Sequence, residues 1–525
     1  MTWYQEAIFY HIYPLGLLGA PKKNKYGKPV SRIRELWPWI DHISKIGCTA
    51  LYIGPLFESV GHGYETTDYR KTDSRLGTNE DLKEFVAYCH EKRIRVILDA
   101  VFNHTGRDFF AFRDILKNRE NSQYLSWYCN VNFQGDNEYH DGFSYDNWGG
   151  YNLLAKLNLK NPDVIAYHMD TIRFWVSEFD IDGLRLDTAD VLDMRFMQIM
   201  RETTGPLKED FWLMGEVIHG EYNRWVNPST LHSVTNYALH KALYSAHNEH
   251  NYFEIAHTIR RQEQMGIRNE LYNFADNHDT ERIITRLHDR SNYVPLLVLL
   301  YTLPGIPSIY YGSEFAVEGK KQRYSDASIR PCLDLDLLKM NYSDYLPLIT
   351  SLAKTRCGCP DLSYGEYKEL ELTTTRYAYS RGNAVITVTN TEQPETFHIR
   401  TELSCTFTGA LSGMKCVPAN GILEITVDGS DGEIWLPEGE EQKGTAPTPV
   451  QKPAVPKEPP VRKEEKPLPE RSSHQKPYEE MTIEELQAEI LYKMSLNGPL
   501  TDRMKQDVME NVYRDSLLNW VRSFR

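Results

Sequence analysis

The chain has 525 residues, 41% hydrophobic and 25% charged, a composition ordinary for a soluble globular protein of about three domains. Its net charge of −14 argues against nucleic acid and anionic membrane as partners, since both select a basic face. Eight cysteines over this length make no disulfide framework, and Cys357-Gly-Cys359, one residue short of CxxC and without a second pair, is no zinc motif.

Rings make up 12% of the residues, with 33 Tyr and 10 Trp. Core packing accounts for most of them, and the excess suits flat, amphipathic ligands such as sugars. No signal peptide is visible after Met1. The most apolar stretch, 294–303, contains Pro295 and falls short of the ~20 residues of a membrane helix. The expected location is cytoplasmic.

From the start, 7–13 reads as a strand and 31–46 as a helix stopped by Gly47. A strand at 50–53 follows. Next comes a helix at 79–93, with Leu82, Phe85, Val86 and Cys89 at i, i+3, i+4, i+7. Residues 95–99 form a third strand. The segment 105–160 is long, aromatic and irregular, which usually marks a functional insertion. Asn161 and Pro162 read as N-cap and N1 of a helix with the stripe Ile165, Met169, Ile172, Val176, Phe179. Strands are expected at 183–187, 211–215, 233–236, 271–276 and 306–310. Eight strands alternating with helices or loops predict an α/β fold, a (β/α)8 barrel or a doubly wound sheet.

After 345 the pattern changes. A hairpin spans 376–379 and 384–389 across Arg381-Gly382-Asn383, and strands at 396–400, 421–427 and 433–436 complete a small all-β domain. Nine prolines between 447 and 477 mark 438–478 as a disordered linker. In the tail, Thr482 and Glu485 form a capping box ahead of the stripe Ile483, Leu486, Ile490, Met494. Thr501 can cap a second helix. Neither helix is long enough to stand alone, so the pair is expected to pack on each other, on the barrel or on a second copy.

Four β-like runs end in acidic segments: Asp99 through Asn103-His104, Arg185-Leu186-Asp187, Gly215-Glu216, and Asp276-Asn277-His278-Asp279. In a barrel these strand ends ring one mouth, where active sites are built. Taken singly, each acid reads as a solvated loop end or an ion pair. Four together, beside His or Arg, point to glycoside hydrolysis, which needs one carboxylate to attack and one to give a proton. Asp187 and Glu216 suit that pair. Arg185 shares a strand face with Asp187 and is expected to keep it ionised. Negative neighbours should raise Glu216. Asp279 can favour the cationic transition state.

These segments resemble the α-amylase family of retaining glycoside hydrolases, over residues 7 to about 437. The resemblance implies Asp187 as nucleophile, Glu216 as general acid/base and Asp279 as transition-state stabiliser. It places Arg185, His104, His278 and Asp99 around the innermost sugar, with Tyr64 of His62-Gly-Tyr-Glu-Thr-Thr-Asp-Tyr69 stacking on it. The family usually has Asp where Glu65 stands. Asn103 matches a position that binds calcium in many members; a loop-capping amide is the other reading, and no cofactor is otherwise required. Residues 305–314 resemble the eighth strand. Within the family, 147–158 and His232 to Tyr237 are nearest the cyclomaltodextrinases, neopullulanases and maltogenic amylases. Their N-terminal β-domain has no counterpart before residue 7, and their usual Trp is Ile218 here.

The expected domains are therefore a barrel of 1–104 and 161–345, an inserted domain at 105–160, and an antiparallel β-sandwich at 346–437. The linker at 438–478 and a helical hairpin at 479–525 follow. The expected function is hydrolysis of α-1,4-glucosidic bonds in maltodextrins and malto-oligosaccharides, with cyclodextrins as candidates. The partner is the α-glucan substrate, not nucleic acid or membrane, with self-association through 479–525 open. A transglycosylase of the same fold and a catalytically silent scaffold are the alternatives.

Overall fold

A computed structural model describes residues 2–323, 325–439 and 482–495, together with Val508 and Leu517. The expected linker from residue 440 onward lies outside the described residues. So does the second tail helix, except for Val508 and Leu517.

Eight parallel strands form one sheet: β1 (Phe9–Ile12), β2 (Ala50–Ile53), β3 (Arg95–Ala100), β4 (Gly183–Leu186), β5 (Trp212–Gly215), β6 (Ser233–Val234), β7 (Tyr272–Phe274) and β8 (Ile306–Tyr310). Their order is 6-5-4-3-2-1-8-7. A parallel bridge between Thr235 and Tyr272 joins the two ends, where Asn236 N–H donates to Tyr272 O at 2.9 Å. The sheet is thus a (β/α)8 barrel and not a doubly wound sheet.

Alternation along the strands sorts the core into two. Phe9, Tyr52, Ile97, Trp212, Met214, Tyr272, Phe274 and Ile306 cluster inside the barrel. Their strand neighbours Ile8, Tyr10, Leu51, Val96 and Leu213 belong to the larger core between barrel and helices. Both faces are buried, so the strands read as unbroken apolar runs. Gly183 makes room for Trp212, whose carbonyl oxygen would lie 2.5 Å from a Cβ at that position. A short helix, Trp3–Glu6, plugs the lower end. Trp3 and Tyr4 pack on the interior cluster, and Trp3 Nε1 donates to Asp210 O at 2.9 Å.

Some elements differ from expectation. The helix expected at 31–46 is a 3-10 turn, Arg32–Leu36, followed by an α-helix, Trp37–Lys45, with Pro38 in its first turn. Proline has no N–H to give and favours a helix start. Asn161 does cap the helix Pro162–Phe179, accepting from Asp163 N and Val164 N. Its buried face runs through Val164, His168, Met169, Ile172, Trp175 and Phe179, with Ile165 and Val176 of the expected stripe half-buried against the core at its edge. Trp175 draws the helix round: it stacks on Phe57 at 4.4 Å and donates to Tyr69 O at 2.7 Å.

Between β3 and β4, a three-stranded sheet joins His104–Gly106, Asn147–Trp148 and Tyr151–Lys156. A hairpin of Phe57–Ser59 and Thr66–Thr72 follows β2. In the C-terminal region a six-stranded antiparallel sheet and a two-stranded one, Glu395–Arg400 with Ile422–Val427, enclose Phe397, Ile399, Leu423, Ile425 and Trp435. In the tail, the helix Ile483–Ser495 has the expected box: Thr482 N donates to Glu485 Oε2 at 2.8 Å and Glu485 N to Thr482 Oγ1 at 3.2 Å.

Candidate active site

The upper end of the barrel interior is polar where the lower end is apolar. Asp99 on β3 and Arg185 on β4 sit in register, both facing in. Arg185 is buried and bridges three carboxylates. Its Nη1 lies 2.9 Å from Asp99 Oδ1 and 3.0 Å from Asp187 Oδ1, and its Nη2 lies 2.8 Å from Glu216 Oε2. Burial works against its charge, but Asp99 and Glu216 outweigh burial and hold the guanidinium protonated. Thr188 N–H donates to Glu216 Oε2 at 2.9 Å, and Tyr52 OH donates to Asp99 Oδ2 at 2.9 Å.

Burial raises Glu216 above the usual carboxylate range, against the pull of Arg185 and with Asp279 adding to it. Asp187 is raised too, and well above that range. Burial is again the main cause, with Glu216 and Asp99 reinforcing it and Arg185 opposing it. This corrects the expectation that Arg185 alone would keep Asp187 ionised. The charge of Glu216 adds to the rise of Asp187, so the two carboxylates do not titrate independently.

Asp279 behaves in the opposite way. Its Oδ2 accepts from His278 Nε2 at 3.0 Å and its Oδ1 from Arg330 Nη2 at 2.8 Å. Burial would raise its pKa, but His278 and Arg330 together hold it well below the ordinary value. Its side chain is still 36% exposed and faces the mouth. Since an ionised Asp279 only accepts, His278 carries its proton on Nε2. The same nitrogen lies 2.5 Å from Tyr64 Oη, which donates in turn to Asp99 Oδ2 at 3.1 Å.

Tyr64 sits in the turn between Phe57–Ser59 and Thr66–Thr72, and that turn is built stiffly. Glu65 accepts from Gly63 N at 3.2 Å and pairs with His62 Nε2 at 3.2 Å. Buried Arg75 donates to Gly61 O and pairs with Asp73 at 2.7 Å. His104 supports Tyr64 from behind: its Nε2 donates to Tyr64 O at 3.1 Å and its Nδ1 accepts from Asn103 Nδ2 at 3.2 Å. Burial lowers its pKa to about 3, so the ring is neutral.

The geometry thus gathers Tyr64, Asp99, Arg185, Asp187, Glu216, His278 and Asp279 at one mouth, with His104 one layer behind. The catalytic-domain model of the alpha-amylase family matches residues 36–342. The chain belongs to the α-amylase family. A cyclomaltodextrinase from Bacillus sp. is 31% identical over 72% of this chain and 71% of its own length. An intracellular maltogenic amylase from Bacillus subtilis is 31% identical over 60% of this chain and 53% of its own. A solved cyclomaltodextrinase structure superposes with a TM-score of 0.73 at 26% identity, covering 82% of this chain and 78% of that one. Like the family, the protein is a glycoside hydrolase that acts with retention.

Several groups of this family member escaped the sequence reading. Tyr52 shares the inward parity of Ala50, a signal that strand period alone supplies. Arg330 lies in a loop 51 residues past Asp279, with no local signal. Tyr237 OH accepts from Asn277 Nδ2 at 3.0 Å, and Asn277 Oδ1 accepts from Asp279 N at 2.9 Å, which fixes the loop that carries Asp279.

Asn103 was open between a calcium ligand and a loop-capping amide. Calcium wants six to eight oxygens, carboxylates prominent among them. Asn103 hydrogen-bonds to His104 and Leu157. Among the described residues no three of His, Cys, Asp and Glu gather where they could hold a metal. The contacts of Asn103 suit the loop-capping reading of this position.

Proposed function

We propose that this enzyme cleaves α-1,4-glucosidic bonds of maltodextrins and malto-oligosaccharides, cyclodextrins among them, by double displacement on Asp187. The observation that carries this reading is Arg185 gripping both Asp187 and Glu216. In the reactive form we assign the proton to Glu216 and the negative charge, facing Arg185, to Asp187. It attacks the anomeric carbon while Glu216 gives its proton to the departing glycosidic oxygen. The bond to Asp187 then forms as the glycosidic bond breaks. Glu216, now ionised, takes a proton from water, which displaces Asp187 and restores both groups. Asp279, held as an anion by Arg330 and His278, stabilises the positive charge that develops on the sugar. Tyr64 offers the innermost ring a stacking face.

The chemistry we assign needs no cofactor, and activity after exhaustive chelation tests that point. A cytoplasmic location fits a relative named intracellular, and no helix among the described residues is long and apolar enough to cross a membrane. The tail helix buries Leu486, Ile490 and Leu491 within a single chain, which supports docking of the tail on its own chain over self-association through 479–525. Light scattering of a chain lacking 479–525 checks it. The complete set of Asp187, Glu216 and Asp279 disfavours a silent scaffold.

The test is a product time course on maltoheptaose, a cyclodextrin and pullulan, with Asp187→Asn as control. Shortening of maltoheptaose by wild type alone supports the reading. Products longer than the substrate would favour transglycosylation. Folded but inactive wild type on all three would sink α-1,4-glucan cleavage.

A further inference from the structure

The residue that follows Asp187 is bent out of its strand. Asp187 N–H donates to Ala100 O at 3.1 Å and Glu216 N–H to Leu186 O at 2.9 Å, so the barrel ladder runs on past β4 and β5. At Thr188 it stops: φ is 45° and ψ is 46°, in the left-handed region. Side chains branched at Cβ avoid that region, and such a residue found there is a genuine outlier. Among the described residues Thr188 is the only β-branched one with a positive φ.

The surroundings impose the turn. Val191 N–H donates back to Thr188 O at 3.1 Å, and Thr188 itself is buried. Gly215, at the end of β5, leaves the space in which Ala189 sits: a Cβ on Gly215 would lie 2.7 Å from Ala189 Cβ. Strain of this sort persists only where the structure around it holds it, and it gathers at functional sites.

What the turn delivers is the peptide N–H of Thr188, which leaves the ladder and donates to Glu216 Oε2 at 2.9 Å. Arg185 Nη2 reaches the same oxygen at 2.8 Å. A carboxyl oxygen has two lone pairs, and these two donors take both. A proton on Oε2 would have to displace one of them, whereas Oε1 accepts no hydrogen bond among the described residues.

We propose that Thr188 is a positioning residue: its strained backbone holds a peptide N–H on Glu216 Oε2 and, together with Arg185, assigns the transferable proton to Oε1. This rests on the reading of Glu216 as the general acid. The charges around Glu216 agree with such a role. Burial raises Glu216, Arg185 opposes that, Asp279 adds to it, and the Thr188 N–H and His278 lower it. Asp187 and Tyr237 also face it. The N–H thus favours the anion that Glu216 becomes once its proton has left.

The first test replaces the Thr188 N–H with an ester oxygen, by incorporating the matching α-hydroxy acid at position 188. It reads kcat/KM against pH on maltoheptaose and on α-maltosyl fluoride. Fluoride leaves without a proton, so the second substrate reports bond cleavage without the acid. Losing a hydrogen bond to a charged group should cost roughly tenfold on maltoheptaose and carry the basic limb up by about one pH unit, with the fluoride within about twofold of wild type. The second test pushes the turn away from Glu216: Gly215→Ala should show the same contrast between substrates, and Ala189→Gly in the same chain should restore it. Thermal melts verify folding. An unmoved basic limb, or equal losses on the two substrates, would overturn the proposal. Glu216→Gln that cleaves maltoheptaose as well as wild type would overturn the acid assignment itself, and the positioning role with it.

Discussion

Arg185 Nη2 lies 2.8 Å from Glu216 Oε2 while its Nη1 lies 3.0 Å from Asp187 Oδ1. One buried guanidinium therefore fixes the geometry of both carboxylates to which we assign the reaction and opposes the burial that raises them, and Asp99 anchors it from β3. Removing it would leave three buried acids without their cation. Arg185→Met is expected to cost about 3–5 kcal/mol in a denaturant titration, the usual cost of breaking a buried pair from one side. Activity should vanish with it. Arg185→Lys keeps the charge but loses the fork, and should fold better than Arg185→Met while remaining poorly active.

The same carboxylates make a pH prediction whose sign is fixed. Asp187 and Glu216 are raised in the folded protein. A raised carboxylate favours folding below its unfolded pKa, and that contribution is lost as pH rises through the folded value. At pH 7 the wild type therefore carries a strained negative charge that Asp187→Asn or Glu216→Gln removes. Either variant should melt higher than wild type at pH 7, by about 1 kcal/mol of stability or more. The advantage should shrink toward zero near pH 4, where both wild-type groups are protonated. Differential scanning calorimetry across that range measures it; a variant that melts lower at pH 7 contradicts the electrostatics described here.

Asp279 carries the opposite dependence. His278 and Arg330 hold it low against its burial. Without Arg330 its pKa rises, so the acid limb of the kcat/KM profile should move to higher pH in Arg330→Ala. At the wild-type optimum the loss should be on the order of 10²-fold, the usual cost of deleting one preorganised partner at a developing charge. Arg330→Lys should recover part of it. An unmoved acid limb would show that Arg330 acts only through packing.

Much of this arrangement was legible because strand period and strand ends are local signals. Val96-Ile97-Leu98-Asp99 reads as a buried run ending in a charge, and period two puts Arg185 and Asp187 on one face. What was not legible depends on distant neighbours. Arg330 reaches Asp279 from a loop. The strand Thr66–Thr72, which positions Tyr64, is polar and mostly half-buried or exposed, so it lacks the apolar alternation of a strand. The direction of Asp187's shift was missed because burial of the whole mouth outweighs one adjacent cation.

Gly183 offers a test of the barrel interior below the site. A Cβ there would lie 2.5 Å from Trp212 O, a backbone atom that cannot move aside cheaply. Gly183→Ala should destabilise by about 1–3 kcal/mol in urea. Because Gly183 shares β4 with Arg185, kcat should also fall. Unchanged stability would mean that the β4–β5 contact is looser than described.

The central claim is that Asp187 forms the covalent bond. Glu216→Gln cannot deliver a proton, but an α-maltosyl fluoride needs none to release fluoride, so glycosylation should proceed and hydrolysis should stall. Peptide mass spectrometry after rapid acid quench reads the outcome. The account predicts a maltosyl adduct on the peptide containing Asp187 and on no other. An adduct on a different carboxylate, or release of β-maltose with no adduct, would contradict it.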